Sequence, residues 1–116
     1  MTTERELLDA LPTGLYIDGR WRDASTGATF AVTDPATEQT LAAVADASPQ
    51  DGQDALDAAA RAQQGWERTA PRERAEILRR AFELVTSRAE DFALTMTLEM
   101  GKPLAEARGE VGYGGE

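Results

Sequence analysis

The sequence changes character near residue 46, and this change constrains the fold more than any other feature. The first 45 residues hold short strand-prone runs separated by turn residues, whereas the rest is rich in alanine and places apolar residues at helical spacing. Runs of strands followed by runs of helices predict a chain in which a layer of strands and a layer of helices pack together. We therefore predict a mixed α/β fold, with N-terminal antiparallel β-hairpins followed by three to four helices.

The first hairpin is predicted at Asp18-Gly19, which lies between two short strand-prone runs. An Asp-Gly pair favours a two-residue turn because both of its positions tolerate positive φ. Residues 1–13, which precede this hairpin, are predicted to be a polar leader with a short amphipathic turn. A second hairpin is predicted over residues 29–44, with its turn at residues 34–37.

Two long helices are predicted after the hairpins. Ser48 suits a helix N-cap because proline follows it, and the alanine-rich stretch behind it ends near Trp66. A second helix begins near Pro71. Its apolar stripe is predicted to be core and comprises Ala75, Leu78, Phe82 and Val85.

The last two helices are predicted from two further apolar stripes. The sequence cuts the second of these stripes short. The third helix ends at Gly101, because glycine suits the left-handed position after a helix. The fourth begins near Leu104, and its stripe stops at Glu116 before a cap is reached. Its late glycines weaken the helix and follow no strand, so no phosphate-binding loop is predicted there.

Composition excludes several classes of function. The net charge of −9 disfavours nucleic acid and acidic membrane surfaces. No apolar run approaches the roughly 20 residues that span a bilayer. We therefore predict a cytoplasmic protein with no nucleic-acid and no membrane partner. The chain has no Cys and no His, which excludes thiol nucleophiles, imidazole bases and Cys/His zinc sites within it.

Several polar and aromatic residues are predicted to be structural. Four aspartates gather near the first long helix, but their spacing does not match a calcium loop, so we expect them to be solvated. They are Asp46, Asp51, Asp54 and Asp57. Lys102 is also expected to be solvated, since it lacks the apolar surroundings of a Schiff-base lysine. Trp21 and Trp66 are predicted to be packing residues rather than cofactor platforms.

Four motifs, in this order and spacing, resemble the aldehyde dehydrogenase superfamily. They are Leu15-Tyr16-Ile17-Asp18-Gly19-Arg20-Trp21, Asp34-Pro35-Ala36-Thr37, Trp66 with Arg74-(x)3-Leu78-Arg79, and Glu99-Met100-Gly101-Lys102-Pro103-Leu104-(x)1-Glu106-Ala107. The resemblance runs from about residue 14 to the last residue and is nearest in character to succinate-semialdehyde dehydrogenases. It implies that residues 14–116 form an incomplete N-terminal part of a cofactor-binding, Rossmann-like domain.

The resemblance implies a chemistry whose reacting groups this chain does not carry. In the family a cysteine attacks the aldehyde, an asparagine and backbone N–H groups stabilise the oxyanion, and a glutamate activates water. These residues and those that hold NAD or NADP lie beyond residue 116 in the family pattern. No catalytic, cofactor-binding or metal-binding residue is therefore predicted here, and the chain alone is expected to be inactive and to bind no cofactor.

Three interpretations of function remain open from the sequence. The first is an N-terminal fragment of an NAD(P)-dependent aldehyde dehydrogenase, whose full-length form would oxidise succinate semialdehyde to succinate. The second is a non-catalytic interaction module that pairs with a full-length or separately encoded dehydrogenase chain through its strand edges. The third is an acidic globular domain with a coincidental resemblance. Self-association is expected as well, since the helices lack the parallel sheet on which they would pack.

Two positions within the matched region carry particular expectations. Glu38 stands where relatives usually have glycine, and a glutamate with positive φ costs on the order of 1 kcal/mol. In some relatives the acid at the position of Glu99, together with backbone carbonyls near Val32 and Thr33, contributes to a structural monovalent-cation site.

Overall fold

The computed structural model describes residues 3–116 and confirms the mixed α/β fold class. Its two pairs of strands precede four long helices, and a fifth, shorter helix stands before them. The elements are α1 (Glu4–Ala10), β1 (Leu15–Ile17), β2 (Arg20–Arg22), β3 (Thr29–Thr33), β4 (Thr40–Ala45), α2 (Pro49–Arg68), α3 (Pro71–Ser87), α4 (Ala89–Met100) and α5 (Leu104–Gly115). The late glycines therefore do not stop the last helix.

The segment predicted as a leader contains a capped helix rather than a short turn. Thr3 is the N-cap of α1, and its Oγ1 accepts a hydrogen bond from the Glu6 backbone N–H at 3.2 Å while the Glu6 carboxylate accepts from the Thr3 N–H at 2.9 Å. This capping box satisfies two otherwise free donors. Leu7 is only 3% exposed, and α1 packs on α4. The first two residues of the predicted leader lie outside the described residues.

The first hairpin forms as predicted. Strand β1 pairs antiparallel with β2 in the register Tyr16 to Trp21. The turn residues Asp18 and Gly19 have φ values of 54° and 75°, the two positive values that a type I′ turn requires. Gly14 lies beside this hairpin, and a Cβ there would come within 2.7 Å of the Arg22 carbonyl oxygen, so only glycine fits.

The second hairpin also forms, and its turn is held by Asp34. The Asp34 carboxylate accepts a hydrogen bond from the Ala36 N–H at 2.7 Å and another from the Thr37 hydroxyl at 3.0 Å. Glu38 has a φ of 60°, so the glutamate tolerates the left-handed conformation at this turn. The pairing of β3 with β4 is antiparallel, with an irregularity between Val32 and Thr33.

The core is small and lies between α4 and α5. Ala93 and Ala107 are fully buried, which lets the two helices approach closely, and Val111 completes the buried set. Partly buried residues surround it: Val85, Ala89, Met96 and Leu104. Gly101 ends α4 with a φ of 74°, as predicted, and this turn directs α5 back along α4.

The prediction that the α3 stripe lies in the core is wrong for most of its length. Only Val85 packs against the core, whereas Phe82 is 48% exposed, Leu78 is 64% exposed and Ala75 is exposed. The stripe has the right helical spacing, but nothing within residues 3–116 covers its N-terminal part. The pattern therefore identified the apolar face of α3 correctly without identifying what packs on it.

Candidate functional site

A buried carboxylate joins the first hairpin to α2. Ser48 is the N-cap of α2, and its Oγ accepts a hydrogen bond from the Asp51 N–H at 3.2 Å, while the Asp51 carboxylate accepts from the Ser48 N–H at 2.8 Å. The same carboxylate accepts from Arg22 Nη2 at 2.7 Å and from the Ser25 N–H at 3.1 Å. We call these four residues the junction: Arg22, Ser25, Ser48 and Asp51.

The environment of Asp51 fixes its charge. The hydrogen bond from the Ser48 backbone, with further hydrogen bonds from Ser25, lowers the pKa of Asp51 to about 2, although burial of the carboxyl opposes this shift. Asp51 is 1% exposed. Its two oxygens already accept hydrogen bonds from three residues, so no acceptor capacity is left to take a proton from a substrate. Asp51 is therefore a structural anion, not a general base.

The expectation that all four aspartates are solvated is wrong for Asp51. Asp46 and Asp57 are exposed, as expected, but Asp54 is half-buried and accepts a hydrogen bond from Arg22 Nη2 at 3.1 Å. The reason is that Arg22, held on β2, brings its charge to the start of α2. Among residues 3–116, no three Asp, Glu, His or Cys side chains are grouped so as to hold a metal ion.

A shallow groove of about 330 Å³ lies beside the junction, between the first hairpin and α2. Its charged lining residues are Asp18, Arg20, Arg22, Asp54, Asp57 and Arg61. The three arginines and three aspartates balance one another, and Arg61 lies 3.9 Å from Asp18. The groove therefore offers neither a net field for a charged ligand nor a nucleophile.

Lys102 is less solvated than expected. Its side chain is only 17% exposed and forms an ion pair with Glu110 of α5. The turn that follows Gly101 brings the Lys102 side chain back against α5, the next helix. The ammonium group is therefore engaged in holding this turn to α5 rather than free for covalent chemistry.

The two tryptophans pack less completely than predicted. Trp21 contacts Tyr16 across the first hairpin, with 5.0 Å between ring centroids, yet it remains 55% exposed. Trp66 is 41% exposed near the end of α2. Both therefore keep large apolar areas on the surface. Glu99 is exposed at the end of α4, and a role for it in a cation site stays a prediction.

The arrangement of strands and glycines in residues 3–116 differs from a dinucleotide-binding turn. Both pairs of strands are antiparallel, and the late glycines Gly109, Gly112, Gly114 and Gly115 all lie inside α5. A dinucleotide pyrophosphate binds where a glycine-rich turn leads from a parallel strand into a helix N-terminus.

The fold and its motifs correspond to a known family. The model of the aldehyde dehydrogenase family matches residues 21–116. The chain belongs to this family. The resemblance predicted from the four motifs is thus confirmed, and it includes the junction and all four long helices.

Three similar proteins illustrate the relationship. A succinate-semialdehyde dehydrogenase of Paenarthrobacter nicotinovorans is 71% identical over 76 residues, which are 66% of this chain and 17% of that relative. A 3-sulfolactaldehyde dehydrogenase of Pseudomonas putida is 46% identical over 99 residues, 85% of this chain and 20% of the relative. The structure of the betaine aldehyde dehydrogenase of Staphylococcus aureus, solved with NAD+, matches this chain with a TM-score of 0.90 at 26% identity. The match covers 94% of this chain and 22% of the S. aureus chain.

The chain spans about a fifth of the length of the relatives that it matches. These matches support the interpretation as a fragment of an aldehyde dehydrogenase rather than as a separate interaction module. No helix within the described residues is both long and apolar enough to cross a membrane.

Proposed function

We propose that this chain acts as the N-terminal part of an NAD(P)-dependent aldehyde dehydrogenase. The observation that carries the proposal is the family match over residues 21–116, which includes every long helix. Within such an enzyme, residues 14–116 would serve as scaffold: the junction fixes the first hairpin on α2, and α4 and α5 form a closely packed pair. The chain alone is inactive under this proposal.

The proposed substrate is an aldehyde that carries an anionic group, and succinate semialdehyde is the first choice. The relative at 71% identity is named for succinate semialdehyde, and the one at 46% is named for 3-sulfolactaldehyde. Both compounds combine an aldehyde with an acid group that is anionic at neutral pH. The structural relative named for betaine aldehyde, which carries a cationic group, is only 26% identical. Identity therefore favours the anionic class.

The reacting groups are proposed to lie in other parts of the enzyme. Oxidation of an aldehyde to an acid needs a nucleophile to form an adduct from which hydride can leave, and this chain has no cysteine. The dinucleotide, NAD or NADP, supplies the hydride acceptor when it is bound. The chain's own residues are proposed to contribute no catalytic, cofactor-binding or metal-binding side chain. We further propose a cytoplasmic location and association with dehydrogenase subunits.

The test is a graft of this chain into a relative. The N-terminal part of the P. nicotinovorans enzyme, up to the end of the segment that matches this chain, would be replaced by residues 1–116. We expect kcat/KM for succinate semialdehyde to stay within about tenfold of the parent enzyme, since the scaffold does not touch the reacting atoms. NAD(P)H formation is followed by absorbance.

Two results would contradict the proposed function. One is a folded graft that oxidises no semialdehyde, because the scaffold would then be incompatible with this chemistry. The other is aldehyde-dependent NADH formation by the isolated 116-residue chain, because the chain has no cysteine with which to form the adduct.

A further inference from the structure

The apolar stripe of α3 leaves the core part-way along the helix. At its C-terminal end Val85 packs against the core. One turn earlier Phe82 is half exposed, and a further turn earlier Leu78 is more exposed still. A stripe that begins in the core and continues uncovered has the spacing of a buried helix face but lacks the surface that would bury it.

An arginine without a partner lies within this stripe. Arg74 is one helical turn before Leu78, so both side chains lie on the same side of α3. The Nε atom of Arg74 is shielded from solvent and donates no hydrogen bond within residues 3–116, and no carboxylate of these residues lies within ion-pair distance of it. A shielded guanidinium donor is costly unless it is paired, and a carboxylate is its best partner.

The surface area of the whole chain agrees with an uncovered face. The chain exposes 8587 Å², whereas a compact monomer of 116 residues would expose about 6200 Å². The radius of gyration is 16.8 Å, against about 13.4 Å for a compact domain of this length. The excess of about 2400 Å² is as large as one side of an extensive permanent interface.

We propose that the α3 face, defined as Arg74, Leu78 and Phe82, is the surface on which the remaining part of an aldehyde dehydrogenase polypeptide packs. That remaining part is the occupant because the matched relatives are about five times as long as this chain. The surface that meets the α3 face is apolar and supplies one carboxylate to Arg74. This inference rests on the proposed function and names the contact surface within it.

The experiment compares two substitutions on the same helix. Leu78→Asp places a charge in the α3 face, whereas Arg80→Asp places the same residue about 160° around α3, on the side opposite to Leu78. Both positions are exposed in the isolated chain. Each variant would be made in the 116-residue chain alone and in the graft with the P. nicotinovorans relative.

The variants are expected to differ in stability in the graft but not in structure in the isolated chain. In the graft, Leu78→Asp should lower Tm by about 10 °C or more, because it would bury an unpaired charge, while Arg80→Asp should shift Tm by only a few degrees. In the isolated chain neither variant should change the far-UV circular dichroism. Arg74→Met in the graft should also lower Tm, and Arg74→Lys should restore part of the loss, because it keeps the positive charge for the carboxylate.

Three results would overturn the inference. The first is an equal effect of Leu78→Asp and Arg80→Asp on the Tm of the graft. The second is a dimer of the isolated chain, seen by light scattering, that Leu78→Asp dissociates, because a second copy would then be the occupant. The third is full stability of the graft after Arg74→Met. Loss of semialdehyde oxidation in a stable graft would contradict the proposed function but not the α3 face.

Discussion

The junction joins β2 to the start of α2, and the α3 face lies on the next helix. Each contains an arginine with a shielded Nε. At the junction, Arg22 meets Asp51 and Asp54 inside the chain. On the α3 face, Arg74 has no carboxylate partner within residues 3–116. The charge of Arg22 is thus paired within the chain, although its Nε donates no hydrogen bond within residues 3–116. The charge of Arg74 is not paired there, and we propose that a surface outside these residues pairs it. The difference separates the self-sufficient part of the scaffold from the part that needs the rest of an enzyme.

The same contrast holds for the apolar residues. Ala93 and Ala107 are fully buried between two consecutive helices, so the contact between α4 and α5 is completed within the chain. Leu78 has no such partner. A local helix pair can bury small residues by close approach, but the larger residues of α3 need a broad surface opposite them. The chain therefore holds a complete small core beside an incomplete large one.

The largest expected effect comes from breaking the junction. Asp51→Ala leaves Arg22 and two serines without their shared acceptor, and should lower Tm by about 10 °C or more, or prevent folding. Asp57→Ala is the matched control, since Asp57 is exposed and, among residues 3–116, accepts a side-chain hydrogen bond only from Gln53. Thermal unfolding followed by circular dichroism checks both variants. Equal Tm values for the two would show that the junction contributes little.

Acid titration should sharpen the role of Asp51. The pKa of Asp51 is lowered in the folded chain to about 2 from its ordinary value of 3.8. The stability that this carboxylate contributes is therefore fully present above about pH 4 and is lost as pH falls through about 2. Denaturant titrations at several pH values should show this loss in the parent chain and a flatter profile in Asp51→Asn. Parallel profiles would assign the acid sensitivity to other carboxylates.

Shrinking the complete core should cost less than breaking the junction. Val111→Ala removes two buried methyl groups beside Ala93 and Ala107, and should lower the free energy of unfolding by about 1–3 kcal/mol. Tyr113→Ala, two residues later and 84% exposed, is the control and should have little effect. Urea titration measures both. A large effect of Tyr113→Ala in the isolated chain would mean that its uncovered residues already pack.

A smaller change of opposite sign is expected at Glu38. Its φ of 60° is one that glycine adopts without strain, so Glu38→Gly should raise the free energy of unfolding by about 0.5–1 kcal/mol. Gly27, at φ 74°, provides the reverse test, because Gly27→Ala should destabilise the chain by a similar amount. Both values come from the same denaturant titration. Destabilisation by Glu38→Gly would mean that the glutamate side chain contributes more than its backbone strain costs.

Local signals allowed much of the fold to be predicted. Asp18-Gly19 fixes a type I′ turn, Ser48 caps α2, and Gly101 ends α4, because each acts through its own backbone or through neighbours a few residues away. The helix α1 was predicted only as a turn, although the spacing of Thr3 and Glu6 is that of a capping box. That signal was present in the sequence and was missed.

The remaining features depend on partners distant in sequence. Arg22 reaches Asp51 across 29 positions, and no local pattern links them. The amphipathic spacing of α3 shows that Leu78 lies on an apolar face, but the pattern is the same whether that face is covered or open. Asp51 was therefore predicted to be solvated and is buried, and Leu78 was predicted to be buried and is exposed. Both errors have one cause: the spacing of residues shows on which side of a helix a side chain lies, but not what packs against that side.

The pairing of neighbouring elements also sets an order of assembly. Strand β1 pairs with β2, β3 with β4, and α4 packs on α5, so each of these contacts joins consecutive elements. Short chain loops close quickly because little conformational entropy is lost. As a ribosome releases the chain, each hairpin can form before the next element emerges. Under our proposal, the α3 face would find its partner only after these pairs have formed, and until that moment chaperones could bind it.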